Sequence, residues 1–595
     1  MSTGPAAAEP PRARWLPIVL AVWAGLTALL LAINWSALAQ HEFHDPDDQL
    51  RLQQVRDLLA GQGWYDLRQY RIDAAGGGVP MHWSRLVDVP LALVMLVLRP
   101  LAGVAGAEAG ALVIVPALTL LAAMLLVGWI AARTLPRPAL PMALFALELA
   151  VPVMVQVLPA RIDHHGWQIA CVLGAVAALL DPRARSGGAI TGACLALWMA
   201  ISFEGLPLSA WTFAVLALGS LVDQRHRPRL VAAVQALAGV SILLFLATRG
   251  PDLAQHCDTI APVHLAAFAI AALAVTLAER IGPASRIALL AGLGVAGAGA
   301  LTAVLLAAPQ CTQGSFDMLD PVVRSVWYDN VQEGKPITMA AWHLMAQYCL
   351  PMLAGLYAAV RLARAHGGER RAWWSAYALI LAGAIAISVM VPRAAAASGA
   401  LACVPLGWLL SQWMGSLRRP GNPLLRVGEL IGVAALILTV LLPVMPVMAI
   451  ETLAGAEELA ADEAAPDNAP CSVRAARGAL AALPPGGILA PLDLGPAILI
   501  ETPRSVLATG HHRGARAIRL TIDAFTGSPG RARRIMTSQR LPYLAICPDM
   551  EELKLYAKRS PGGFAAQLLR GQVPGWLTPV PLPQPSGLRI WTLAE

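Results

Sequence analysis

His41-Glu42-Phe43-His44-Asp45-Pro46-Asp47-Asp48-Gln49 follows an apolar stretch, Trp15 to Trp35, that is long enough to cross a bilayer. Four carboxylates, Glu42 and three aspartates, at the point where a helix leaves a membrane are costly unless a cation or a charged substrate meets them. The meaning of this run therefore depends on whether the rest of the chain is embedded in a membrane.

Composition answers that question. Hydrophobic residues make up 57% of the 595 residues and charged residues only 14%, with a mean hydropathy of +0.59, which excludes an ordinary soluble enzyme and indicates a polytopic α-helical membrane protein. The first apolar stretch is too long and too aromatic for a signal-peptide core and reads as a retained transmembrane helix. Further stretches of spanning length recur at 110–132, 138–158, 166–181, 187–203, 205–222, 230–248, 260–279, 287–308, 339–360, 373–392, 395–415 and 428–448. With the first, these make about thirteen spans.

The apolar segment 86–104 is the difficult case, because counting it as a span would reverse everything after it. Arginine placement decides against that. With 86–104 lying along the interface, one side of the membrane collects Arg12, Arg14, Arg133, Arg137, Arg183, Arg185, Arg225, Arg227 and Arg229, then Arg280, Arg286, Arg364, Arg370, Arg371, Arg418, Arg419 and Arg426. The positive-inside rule makes that side cytoplasmic. An odd number of spans then carries the tail, 451–595, to the opposite side, which in a bacterial inner membrane is the periplasm. The same loops account for much of the net charge of +7 and the pI near 9.1, so neither value calls for a nucleic-acid partner.

On the outer side, the acidic and histidine-bearing loops gather. The first carries Asp45, Asp47 and Asp48; the second carries Arg161-Ile162-Asp163-His164-His165-Gly166; a third, 309–338, carries Asp317, Asp320, Asp329 and Glu333; the turn after the eleventh span carries Arg393. An aspartate at one helix mouth and an Asp-x-His at another suit a single Mg²⁺ or Mn²⁺ with open positions for phosphate oxygens. A dication would offset charge developing on a phosphate leaving group. Each element alone reads equally well as a helix cap; their shared side in so apolar a chain favours a site. Glu204, in Ser202-Phe203-Glu204-Gly205 at another outer turn, is an ionisable group at membrane depth and a further candidate, the alternative being a simple ion pair with Arg161.

These residues carry a family resemblance. His41-Glu42-Phe43, Asp45-Pro46 and Arg51 resemble the first-loop signature H-E-F-D-P-x-x-x-x-R of the catalytic subunit of oligosaccharyltransferases, with His44 inserted. Asp163-His164-His165 is similar to the second acidic motif of archaeal members, in which the aspartate and the second histidine are metal ligands. Asn330-Val331-Gln332-Glu333 resembles the S/T-x-x-E motif, and Arg393 stands where those enzymes place an arginine near the donor phosphate. The resemblance implies the GT-C class of membrane glycosyltransferases, with a transmembrane catalytic domain at 1–450 and a C-terminal α/β domain at 451–595. It also implies an inverting transfer of a sugar or oligosaccharide from a polyprenyl-(di)phosphate donor to a glycan, lipid or protein acceptor. Asp45, Asp163 and His165 would hold the metal, Arg393 the phosphate, Glu333 a further ligand or acceptor contact, and Asp47 or Asp48 would act as base.

One motif departs from the family. W-W-D-x-G, which recognises the acceptor sequon, has only Pro491-Leu492-Asp493-Leu494-Gly495 as counterpart, and both tryptophans are missing. Asp493 and the later His511-His512-Arg513 read either as turn residues or as acceptor contacts. The missing tryptophans favour a GT-C monosaccharide transferase modifying a lipid or polysaccharide as the alternative. A transporter or flippase is the rival from another class, but it should bury charge at mid-span rather than at helix mouths.

In the tail, a helix at 471–483, strands near 487–491 and 505–508, a helix at 529–537, a strand at 543–547, a helix at 551–559 and a strand at 587–593 are expected. No glycine-rich phosphate loop accompanies them. Cys257, Cys311, Cys471 and Cys547 lie outside the spans, and their spacing leaves the disulfide pairing open.

Overall fold

A computed structural model describes residues 15–283, 285–314, 316, 319–331, 334–416, 426–434, 471–582 and 586–594. The expected thirteenth span, the domain boundary at 450–451 and Glu333 lie largely or wholly outside them. Among the described residues, ten helices are long and apolar enough to cross a membrane. Two shorter apolar helices, Ala139–Glu148 and His165–Ala178, occupy the third and fourth expected spans. The chain is a multi-pass membrane protein by these helices. Its lipid-facing positions are large apolar residues such as Leu243, Ile287, Leu306 and Ile281.

Helix Arg85–Thr134 resolves the ambiguous segment. It breaks at Gly103, whose φ of 70° only glycine adopts without strain. The part before the break carries exposed Leu96, Val97 and Leu101, and the part after it packs into the bundle through Val115, Leu120, Met124 and Val127. One apolar run thus yields two helices with different surroundings.

Close packing in the bundle relies on small residues. A Cβ on Gly188 would lie 2.1 Å from the Arg229 carbonyl oxygen, and one on Gly192 at 2.1 Å from that of Ala233. Helices Ala184–Ile201 and Arg227–Thr248 therefore touch backbone to backbone, the usual means of association where lipid removes the hydrophobic drive.

The C-terminal α/β unit holds a five-stranded sheet in the order β4-β3-β5-β7-β6, with β3 Gly487–Leu489, β4 Ser505–Val506, β5 Tyr543–Ile546, β6 Leu577–Pro579 and β7 Arg589–Leu593. β3 pairs in parallel with β4 and β5, whereas β7 is antiparallel to β5 and β6. Helices Val473–Ala482, Pro529–Ser538 and Glu551–Arg559 stand where the periodicity predicts them. Helices Gly495–Glu501 and Ala515–Thr526 were not foreseen; the first is only seven residues long, and both follow turn-like sequence. Cys257 pairs with Cys311 and Cys471 with Cys547, closing the question that spacing left open.

The first loop fastens this unit to the bundle. It forms its own hairpin, β1 Arg68–Gln69 against β2 Val79–Pro80, and its 71–73 segment lies along the edge strand β4. There the Val506 amide donates to the Arg71 carbonyl and the Asp73 amide to that of Val506. The Arg71 guanidinium donates to the carbonyls of Leu499, Thr502 and Arg504, and Arg56 donates to that of Ile500. An edge that would otherwise be open is thereby paired, and Ile72, Val79, Met81 and Trp83 share an apolar core with Ile488, Ile498 and Val506.

Candidate active site

Asp45 and Pro46 begin the Pro46–Leu59 helix in the manner helix starts favour. The Asp45 carboxylate accepts the Asp47 amide at 2.9 Å as N-cap, and proline occupies the first turn. The helix turns Asp48 and Arg51 inward, and both are fully buried.

Asp48 is placed to hold a loop. One of its oxygens accepts the amides of Ile162 (2.8 Å) and Asp163 (2.9 Å), and the other meets Arg161 at 3.0 Å. The expected role of base does not suit a carboxylate that is sealed from the cleft with both oxygens committed. Arg161 also reaches Asp45 at 3.0 Å, so the two aspartates of the opening motif grip the second acidic motif through one guanidinium. Asp47 stays half-buried on the outer side of the same turn.

Arg51 positions Asp163. Its guanidinium donates to Asp88 and to Asp163, both at 3.1 Å, and lies 4.5 Å over the face of Trp83. Arg85 and Gln54 also bind Asp88. These buried charges are all paired; breaking such a set by removing one partner costs about 3–5 kcal/mol. The Arg85/Asp88 spacing is visible in the sequence, but nothing there shows that both serve Asp163.

Asp163, His164 and His165 form a buried cluster whose ligating atoms lie within 4.8 Å of one another. Asp163 shares a hydrogen bond with His164 Nδ1 at 2.6 Å and approaches His165 Nε2 at 3.6 Å. Burial raises the Asp163 pKa, but His164, His165 and Arg51 outweigh it and hold the carboxyl well below the usual range. Burial pulls His164 down, yet the charge and hydrogen bond of Asp163 carry it up to about 9. His164 Nε2 is buried without a hydrogen-bond partner among the described residues, 3.8 Å from Glu204. Asp45 stands beside this cluster on Arg161 rather than within it.

The alternative reading of Glu204, an ion pair with Arg161, does not hold, since Arg161 pairs with Asp45 and Asp48. Glu204 binds Arg393 at 2.5 Å, with Gln168 at 3.5 Å from its other oxygen. Glu204 therefore stands between Arg393 and His164. Asp493 opens onto the same space; the surrounding protein and, after it, the Asp45 charge push its pKa up. Beneath it, Glu552 accepts the amides of Leu492 (2.8 Å) and Asp493 (2.9 Å).

His511, His512 and Arg513 lie elsewhere. They face the first loop at the junction between the bundle and the α/β unit, where His82 Nδ1 and His511 Nε2 are 2.8 Å apart and Arg513 clasps Asp258 at 2.6 and 2.8 Å. Burial, reinforced by His512, keeps His82 and His511 well below the ordinary histidine pKa. The sequence singles out His511 and His512 but gives no sign of His82 or Asp258 as their companions.

No protein-family model matches the chain, and no curated protein matches it by sequence. Solved structures do. The archaeal oligosaccharyltransferase of Archaeoglobus fulgidus, tethered to an acceptor peptide containing an NVT sequon, superimposes with a TM-score of 0.65 over 98% of this chain and 74% of that one, at 14% identity. The chain has the oligosaccharyltransferase fold. The same enzyme, AglB, in complex with an inhibitory peptide and a dolichol-phosphate matches at TM-score 0.60, 17% identity, over 93% of this chain and 72% of that one. Its complex with Zn and sulfate matches at TM-score 0.59, 16% identity, over 92% and 70%. The likeness covers bundle and α/β unit together, so the shared fold includes the way one is mounted on the other.

Proposed function

We propose that this protein is a membrane-integral, inverting glycosyltransferase that moves a sugar or oligosaccharide from a polyprenyl-(di)phosphate donor to an acceptor on the outer face of a bacterial inner membrane. The N-terminus is then cytoplasmic and the α/β unit periplasmic. The observation that carries this reading is the placement of Asp163, held by Arg51, backed by Asp48 and flanked by two histidines, at a helix mouth beside Glu204–Arg393. A transporter has no need of so rigid a first loop. The shared fold supports the donor class, since the archaeal enzyme is described with a dolichol-phosphate.

The donor set fits a divalent metal. The orphaned, buried His164 Nε2 and the Asp163 carboxylate between two imidazoles are groups that a cation would satisfy. Asp163 and His165 would hold it with His164 or Asp45 completing the set, and two imidazoles suit Mn²⁺ or Zn²⁺ better than Mg²⁺. Bound there, it would offset charge on the leaving phosphate. Arg393 neutralises phosphate oxygens after exchanging its Glu204 partner for the donor. Arg51 and Asp48 keep Asp163 from rotating. Asp47, half-buried at the start of the Pro46–Leu59 helix, is the proposed base for the acceptor's proton as the nucleophile attacks the anomeric carbon, with Glu333 as a further ligand or acceptor contact.

Asp493 faces the cleft from the acceptor side without the tryptophans that read a sequon. This favours a lipid or glycan hydroxyl over an asparagine. The test is transfer of radiolabel from a polyprenyl-linked sugar in membranes, with and without chelator, comparing wild type with Asp163→Asn. Transfer that survives Asp163→Asn undiminished overturns the assignment.

A further inference from the structure

The junction between first loop and α/β unit carries a second cluster that the transfer chemistry does not use. His82 lies between β2 and the Arg85–Thr134 helix; His511 and His512 lie between β4 and the Ala515–Thr526 helix. More than four hundred residues separate them in sequence, yet one ring nitrogen from each falls within 4.8 Å of the others. His82 and His511 rings are centred 4.9 Å apart, and His82 and His512 rings 4.8 Å. His511 is only 4% exposed, and its Nδ1 has no hydrogen-bond partner among the described residues.

The surroundings are those of an oriented ligand set. His512 Nε2 shares a hydrogen bond with Asp258 at 2.6 Å, which fixes the ring and leaves Nδ1 as its donor atom. A carboxylate behind a histidine in this way is the common outer partner of a metal-bound imidazole. Asp258 is in turn held by Arg513, which also reaches the Met81 carbonyl. Arg249 donates to the His82 carbonyl and has Asp252 at 3.8 Å. Both guanidiniums thus have their own carboxylate, and neither claims an imidazole nitrogen.

We infer that His82, His511 and His512 form a structural Zn²⁺ site that clamps the first loop to the α/β unit, with Asp258 orienting His512. Three imidazole nitrogens with water as fourth ligand make a tetrahedral zinc set, whereas Mg²⁺ and Ca²⁺ require oxygen. The site joins three parts of the chain. The first loop supplies His82, the α/β unit His511 and His512, and the 250–261 loop Asp258, which Cys257–Cys311 ties to the next long outer loop. It also reaches the cleft by contact. Trp83 meets His511 edge-on at 5.6 Å and carries Arg51 on its face, and Arg51 holds Asp163. The clamp is therefore a positioning device for Asp163, three contacts away.

The test uses the full-length protein in detergent, stripped with chelator and reloaded with Zn²⁺ alone or Co²⁺ alone, in an Asp163→Asn background that disables the cleft cluster. Metal content and the visible d–d spectrum of Co²⁺ are read. One metal per chain with a nitrogen-ligated, four- or five-coordinate spectrum is expected. His82→Gln and His511→Gln should each weaken binding at least about tenfold, and Asp258→Asn by about tenfold as an outer partner. Absence of a retained metal in the Asp163→Asn protein overturns the proposal, as does unchanged affinity and spectrum in His82→Gln and His511→Gln. Should those variants fail to fold, X-ray absorption at the Zn edge of the Asp163→Asn protein decides instead: a shell without three imidazoles overturns the assignment.

Discussion

Two histidine clusters sit on the same side of this bundle, and they differ in where their carboxylates lie. At 163–165, Asp163 is inside the cluster, with the Glu204–Arg393 pair beside it and Asp45 held next to it on Arg161. At His82–His511–His512, the three innermost groups are all imidazoles; the one carboxylate, Asp258, stands behind and is already matched by Arg513. An anionic carboxylate among the ligands leaves a bound cation less than fully charged and beside exchangeable arginine, which suits phosphate turnover. A neutral, enclosed set suits a cation that stays. The difference teaches that composition alone, two or three histidines near an aspartate, does not separate a reactive site from a clamp; the position of the charge does.

The sharpest way to break this comparison is to move the charge in the first cluster. Asp163→Asn keeps the shape but loses the anion that both histidines and Arg51 address. Transfer from a polyprenyl-linked sugar should fall by about 100-fold or more. Docking of the α/β unit, read by limited proteolysis at the first loop, should be unchanged. Asp48→Asn separates bracing from chemistry. It keeps an Oδ1 for the 162–163 amides but replaces the charged oxygen opposite Arg161 with an amide NH2, and it should destabilise the fold by about 3 kcal/mol while leaving the folded fraction measurably active. A purely catalytic Asp48 would give the opposite pattern.

Arg393→Ala tests the other wall of the cleft. The variant leaves Glu204 unpaired next to His164 and takes away the cation proposed for the donor phosphate. The expected result is a KM for the lipid donor raised by about tenfold, equivalent to about 1.4 kcal/mol, with a smaller change in kcat. An unaltered KM would assign Arg393 to the architecture of the turn. At the junction, Arg71→Ala removes a guanidinium bonded to three carbonyls of the α/β unit. It should cost about 1–3 kcal/mol, seen as earlier proteolysis between 60 and 80, with the cleft chemistry affected only through docking.

How much of this was written in the sequence differs between the two clusters for a physical reason. The spans follow from apolar length, and ten of them recur as helices together with two short ones. Asp45, Asp163, Glu204 and Arg393 stand out as candidates because charge is rare and costly beside a bilayer. The strands and amphipathic helices of the tail were legible from their periods, while the seven-residue Gly495–Glu501 helix carries too few turns to show one. The brace formed by Arg51, Asp88 and Asp48 was only half visible, because a buried ion network depends on which helix faces which. The junction cluster was the least legible. His82 is an ordinary polar residue in a loop, and only the pairing of 71–73 with β4 brings it to His511. Contacts of such long sequence separation leave no local pattern to read.

The smallest expected effect concerns Glu552, beneath Asp493 on the cleft side. Its carboxylate accepts two backbone amides and the Tyr556 hydroxyl, and burial followed by the Asp493 charge pushes its pKa from 4.5 to about 7. The folded pKa lies above the unfolded one, so between those values the folded protein binds more protons than the unfolded chain. That contribution to stability is fully present below the unfolded pKa and is lost as pH rises through about 7. The thermal midpoint of the detergent-solubilised protein should therefore decline from pH 5 to 7. Asp493→Asn removes the neighbouring negative charge and with it part of the elevation, so the decline should become shallower. A cation held in the cleft should act in the same direction, because it offsets the charges of Asp45 and Asp493 that Glu552 and its loop must tolerate. If the slope in Asp493→Asn matches wild type, burial and not the Asp493 charge governs Glu552. A shallower slope shows that the two carboxyls titrate against each other, as burial followed by the Asp493 charge requires.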